Sequence, residues 1–156
     1  MVVETGSEAE TEGFGRQLGV ALRRPLTLLL KGPLGAGKSV VARGIARGLG
    51  VAPGVPITSP TFTLMNHYPA RLDLYHFDLY RLADAEELIE IGFDDFAHGR
   101  GIALVEWPER LESFDFDHLL LEIERLSASR RRLRLSAKGG DAGKILAQLE
   151  TAMAVK

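Results

Sequence analysis

The 156-residue chain contains no cysteine. That excludes disulfides, a thiol nucleophile and a thiolate metal site, and it fits a reducing compartment. Histidine is scarce, and His67, His98 and His118 show no ligand spacing, so they read as surface residues. A charge excess is also missing: Lys plus Arg 19 against Asp plus Glu 21 gives a net charge of −2. There is thus no overall electrostatic case for binding nucleic acid or a membrane surface, and any RNA contact must come through a local patch or a partner. No apolar run approaches the roughly 20 residues that span a bilayer. Residues Met1 to Glu8 are acidic and lack the apolar core of a secretory signal. The expectation is a cytoplasmic protein with one domain over 1–156, large enough to bury a real core and without internal repeats.

Glycine, by contrast, is plentiful. Seven of the 17 glycines lie between Gly32 and Gly54, an excess that reads as one loop and the turns that follow it. The loop is Gly32-Pro33-Leu34-Gly35-Ala36-Gly37-Lys38-Ser39, preceded by the apolar run 26–30 and followed by residues with the make-up of a helix. This is G-x-x-x-x-G-K-S between a strand and a helix, the setting of a phosphate-binding loop. Several backbone N–H groups must converge on the phosphates of a nucleoside triphosphate, and glycine lets the chain curl that tightly around an anion. The helix start adds its positive end, Lys38 a point charge, and the Ser39 hydroxyl a ligand for Mg²⁺. Gly32, Leu34, Gly35, Ala36, Gly37, Lys38 and Ser39 are accordingly the candidate ATP-binding residues. Pro33 has no N–H to offer.

Ser7-x-x-Glu10 is a capping box, and Phe14, Leu18, Ala21 and Leu22 recur at helical spacing, which predicts a helix over 7–23. A strand follows at 26–31 and a helix at 38–49, with Val41, Ile45 and Leu49 on one face and Gly50 closing it. The proline-rich stretch 51–60 is a loop, and β-branched and aromatic residues predict a strand from Thr61 to Tyr68. In the next strand, 72–81, alternation puts Leu72, Leu74, His76 and Asp78 on one face. Asp84 caps a short helix with Leu88 and Ile91 inward. Gly99-Arg100-Gly101 is a turn, Ile102 to Glu106 a buried strand ending in a carboxylate, and 119–135 an antiparallel hairpin with its turn at Ser127–Arg130. An amphipathic helix carrying Ile145, Leu146, Leu149 and Met153 completes the pattern. The expected fold is α/β, a P-loop NTPase-like three-layer sandwich with a mixed sheet and a late antiparallel hairpin.

In such sheets ligands bind at the carboxyl ends of strands, and Gly32, Asp78 and Glu106 each follow such an end. A triphosphate site needs a second acid there to hold Mg²⁺ or its water and to orient the nucleophile. Glu106 has the buried-strand context of the metal acid; Asp78, in a more polar strand, suits a residue that orients water or a switch segment. His76 is either a structural residue or a contact to phosphate or acid. Trp107 either packs or lines the nucleotide pocket, and the arginines from Arg130 to Arg134 form either a solvated hairpin tip or a phosphate grip.

At these residues the chain resembles the bacterial TsaE (YjeE) family. The family's G-[DE]-L-G-A-G-K-[ST] loop is matched except at Pro33, which departs from the usual acid. Its S-P-T-[FY] segment is Ser59-Pro60-Thr61-Phe62, its H-x-D-x-Y-R stretch is His76, Asp78, Tyr80 and Arg81, and its V-E-W-P block is Val105-Glu106-Trp107-Pro108. The resemblance implies an ATP- and Mg²⁺-binding protein with weak intrinsic hydrolysis that acts with TsaB and TsaD partners in the threonylcarbamoyladenosine modification of tRNA, touching tRNA indirectly. By analogy Ser39 and Glu106 hold Mg²⁺, and Lys38, Asp78 and Glu106 are catalytic. Ser59 to Phe62 forms a switch-like segment with Thr61 at the nucleotide, and Ser7 and Arg131 are further nucleotide contacts. Two rival readings are a small-molecule kinase and a nucleotide-gated binding module without hydrolysis.

Overall fold

The computed structural model describes residues 1–60, 62–90, 92–97, 99–111 and 115–154. Its elements are β1 (Val2–Thr5), α1 (Glu8–Ala21), β2 (Leu26–Lys31), α2 (Lys38–Leu49), β3 (Met65–Tyr68), β4 (Leu74–Asp78), α3 (Ala85–Glu90), α4 (Phe93–Ala97), β5 (Ile102–Glu106), β6 (His118–Arg125), β7 (Arg131–Lys138) and α5 (Gly140–Ala154). The strands form one seven-stranded sheet in the order β1-β7-β6-β2-β5-β4-β3. Strands β6, β2, β5 and β4 are mutually parallel, whereas β1 and β7 on one side and β3 on the other pair antiparallel. This is the expected α/β, P-loop NTPase-like sandwich with a mixed sheet and a late hairpin.

Strand alternation sends side chains to two cores. On one face Leu28, Leu30, Leu104, Leu119 and Leu121 pack with Phe14 and Leu18 of α1, Ile45 and Leu49 of α2, and Ile145 and Leu149 of α5. On the other, Leu29, Phe77 and Val105 pack with Leu88 of α3 and Phe93 of α4. Each fully buried leucine contributes about 1.5–3 kcal/mol. The second cover stops short of the hairpin, where Glu124 and Arg134 stand exposed on the uncovered face.

The Ser7 half of the α1 capping box closes as expected, while Glu10 reaches one residue past the N-cap. The Ser7 Oγ accepts from the Glu10 N–H at 3.1 Å, and the Glu10 carboxylate accepts from the Gly6 N–H at 2.5 Å. Asp84 caps α3 through the N–H groups of Glu86 and Glu87. Its predicted inward partner Ile91 lies outside the described residues, as does His98.

Four readings from the sequence need correction. The strand expected from Thr61 begins at Met65, because the Leu64 N–H bonds to the Pro60 carbonyl and Leu64 is left-handed at φ 67°. β1 and α4 were not anticipated: four and five residues are too few for a periodic signal. His118 is buried, its Nδ1–H donating to the Phe116 carbonyl at 2.9 Å. Finally, Gly44 and Gly48 belong to no turn but sit within α2, facing Gly15 and Gly19 of α1. A Cβ at Gly15 would lie 2.6 Å from the Val41 carbonyl oxygen, and one at Gly44 would collide with the carbonyl of Glu12. The two helices touch backbone to backbone, which only residues without a side chain permit.

Candidate functional site

Three parallel strands bring the site together. β2 ends in the glycine loop, and the register sets Leu30 of β2 beside Glu106 of β5, and Glu106 beside Asp78 of β4. Both acids therefore follow strand ends next to the start of α2. By alternation they share the face of Leu104 and Leu74, which is the face that α2 covers.

The loop has the shape its glycines require. Gly35 and Gly37 are left-handed at φ 80° and 107°, and a Cβ on Gly32 would press on the Ile123 carbonyl oxygen at 2.9 Å. Gly37 is the N-cap of α2 and supplies no side chain to the first N–H groups, so these remain for an anion. Arg131 braces the loop from the hairpin. Its Nε donates to the Ala36 carbonyl at 2.7 Å, while its Nη1 holds the hairpin-turn carbonyl of Ser127 at 2.9 Å.

Lys38 is buried and donates to the Gly32 carbonyl, with its ammonium 3.5 Å above the centre of the Trp107 ring. Burial pushes its pKa below the usual lysine range, opposed in turn by the negative charges of Glu106, Glu109 and Asp78. Trp107 holds its place with a left-handed backbone at φ 60° and packs against Tyr80, 4.9 Å between ring centres. It does both things the sequence left open, packing on the second core and lining the cleft.

Glu106 and Asp78 are only 4% and 5% exposed, which is unusual for carboxylates and marks a site rather than a surface. Glu106 Oε2 lies 2.6 Å from His76 Nε2 and 3.3 Å from the Ser59 hydroxyl. Asp78 Oδ1 accepts the Tyr80 N–H at 3.0 Å. Around these groups opens a cleft of about 460 Å³, lined among others by Leu34, Gly35, Gly37, Lys38, Ser39, Ser59, Asp78, Glu106 and Arg131. A smaller hollow of about 90 Å³ adjoins it across Gly37, between Glu8 and Thr11 of α1 and Ala128, Ser129 and Arg131 of the hairpin.

The residues expected at the site converge, with three qualifications. Gly32 and Ala36 shape the loop from behind rather than lining the cleft. Ser7 uses its hydroxyl to cap α1, and it is Glu8 and Thr11 that reach the smaller hollow. Thr61 lies outside the described residues. His76, which spacing alone leaves open between a structural role and contact with phosphate or acid, meets the acid. Tyr80 was visible only as part of a motif.

The donor set fits a magnesium-bound triphosphate. Among the described residues no three histidines, cysteines or carboxylates cluster tightly enough to cage a metal alone. Ser39 and Glu106 instead offer hard oxygen ligands beside a phosphate cradle, the arrangement in which Mg²⁺ is held by one or two protein oxygens and the phosphates. No described helix is long and apolar enough to cross a membrane.

Comparison with known proteins agrees with this fold. Residues 5–133 match the model of the family TsaE, threonylcarbamoyl adenosine biosynthesis protein. The tRNA threonylcarbamoyladenosine biosynthesis protein TsaE of Bacillus subtilis is 35% identical over 137 residues, covering 86% of this chain and 84% of its own. The Treponema pallidum protein of the same name is 42% identical over 107 residues, 69% of this chain and 78% of its own. The crystal structure of Bacillus subtilis YdiB superposes with a TM-score of 0.80 at 28% identity, covering 97% of this chain and 95% of that one. Matched by the family model over residues 5–133 and by relatives of 35–42% identity along most of its length, the chain belongs to the TsaE family.

Proposed function

We propose that this protein is a Mg²⁺-dependent ATPase of low intrinsic turnover that works in the cytoplasm with TsaB- and TsaD-like partners in the threonylcarbamoyladenosine modification of tRNA, without handling tRNA itself. The observation that supports it most is the convergence of Lys38, Ser39, Asp78 and Glu106 on one cleft above a glycine cradle. In this reading the loop amides and Lys38 hold the β- and γ-phosphates, the ammonium leaving the Gly32 carbonyl to do so. Ser39 and Glu106 hold Mg²⁺, which neutralises charge on the phosphate oxygens. Asp78, fixed by the Tyr80 N–H, orients the attacking water and accepts its proton. The Arg131 side chain already spends its Nε and Nη1 on carbonyl groups, and positions the loop rather than reaching toward a γ-phosphate. Among the described residues the cleft is lined by no cation besides Lys38 and Arg131, so the site turns over slowly unless a partner supplies one over the γ-phosphate.

The test is ATP hydrolysis by the purified chain with and without Mg²⁺, then with TsaB- and TsaD-like proteins added. Slow Mg²⁺-dependent turnover accelerated by the partners is expected. Acceleration by a small acceptor instead, with phosphate transferred to it, would make the protein a kinase.

A further inference from the structure

Glu106 can serve as a metal ligand only if its carboxylate is held in one orientation, and the side chain that holds it is His76. Both are buried, at 1% and 5% side-chain exposure, and Nε2 of His76 lies 2.6 Å from Oε2 of Glu106. The Ser59 hydroxyl meets the same oxygen at 3.3 Å, which leaves Oε1 as the oxygen without those two donors. With Glu106 ionised, as a ligand for a hard cation must be, Nε2 carries the proton. The other ring nitrogen, Nδ1, is buried without a hydrogen-bond partner among the described residues. An unpaired buried nitrogen is a liability that a leucine filling the same space would avoid. The cost is explained if the task of the ring is the single bond made by Nε2.

We infer that His76 is a positioning residue for the metal acid: its Nε2–H, seconded by the Ser59 hydroxyl, fixes Oε2 of Glu106 and turns Oε1 toward the cation. This rests on the nucleotide reading proposed above. It places the imidazole in the shell behind the ligand, where it sets the orientation of the carboxylate without touching metal or phosphate.

Calorimetric titration of ATP at graded Mg²⁺ separates the possibilities. In a glutamine the amide nitrogen reaches the place of Nε2; in an asparagine it does not. His76→Asn is expected to raise the Mg²⁺ concentration for half-maximal enhancement of ATP affinity by about 10–100-fold, and His76→Gln by no more than about threefold. Ser59→Ala should shift it less than His76→Asn and in the same direction. ATP affinity in excess chelator should be the same for the wild type and the two His76 variants, which a general loosening of the fold would not allow. Equal Mg²⁺ dependence of wild type and His76→Asn, or equal impairment of the asparagine and glutamine variants, would overturn the inference and leave the ATPase reading intact. A wild-type protein indifferent to Mg²⁺ would instead remove the reading beneath it. Should the variants fail to fold, ¹⁵N spectra of the wild-type imidazole decide: a proton on Nε2 with Nδ1 bare is expected, and a proton on Nδ1 alone overturns the assignment.

Discussion

The sheet carries two groups of charges that differ in almost every physical respect. At the start of α2 and the ends of β4 and β5, Lys38, Asp78 and Glu106 are each under a tenth exposed, crowded around one cleft. On the antiparallel flank, Glu4 meets Arg130 at 3.0 Å and Arg132 at 3.1 Å, and Arg132 meets Glu124 at 3.3 Å, all in solvent. The flank pairs are more numerous, but water screens them and each holds two long side chains in place for little return. The buried trio is expensive to desolvate and is retained where the charges have a ligand to meet. Counting ion pairs would point to the wrong end of the molecule; burial points to the right one.

The contrast can be broken by substitution. Glu106→Ala should still bind ATP but lose about 10²–10³ in Mg²⁺-dependent turnover, some 2.7–4 kcal/mol, as loss of one preorganised electrostatic group does elsewhere. Steady-state kinetics check it, and wild-type turnover would move the metal role to Asp78. Lys38→Ala should cost about 1.5–3 kcal/mol of ATP affinity, one charge-assisted contact, read by calorimetry. Gly44→Ala tests whether the site depends on the helix packing beside it. The added methyl meets the Glu12 carbonyl, and overpacking of this kind costs about 1–3 kcal/mol in a denaturant titration.

The smallest effect belongs to the flank. The Glu4 carboxyl sits below its ordinary value of 4.5, held there mainly by the hydrogen bond from Arg132 and then by that from Arg130. A folded-state pKa lowered in this way contributes stability that is present above pH 4.5 and lost as the pH falls through the folded value. Glu4→Gln should flatten that acid limb and lower the melting temperature at neutral pH by the same small amount, because the contribution it removes is the one present above pH 4.5. A large loss at neutral pH would erase the distinction between the two regions.

The sequence shows the site more readily than the frame around it. Strand, glycine loop and helix occupy consecutive residues, and their spacing encodes a local geometry; Asp78 and Glu106 each follow a run with strand periodicity. Their adjacency, by contrast, depends on β4 and β5 pairing in parallel across the intervening residues 79–101, which no local pattern announces. The glycines of α1 and α2 misled for the same reason. Gly15 and Gly19 look like defects in one helix, Gly44 and Gly48 like turn residues, until the two helices are laid against each other. His76 could not be resolved from spacing either, since its partner lies 30 positions away. Arg131, a nucleotide contact only by resemblance, lines the cleft, and its bond to the Ala36 carbonyl braces the loop from another strand.

Trp107 is the sole indole of the chain, and the ammonium of Lys38 rests on its face. An indole's emission responds to a charge moving a few ångströms above it, so the protein carries its own optical probe. When Lys38 lifts toward an incoming anion, the change in fluorescence should record that departure in real time, with no dye attached and no residue replaced.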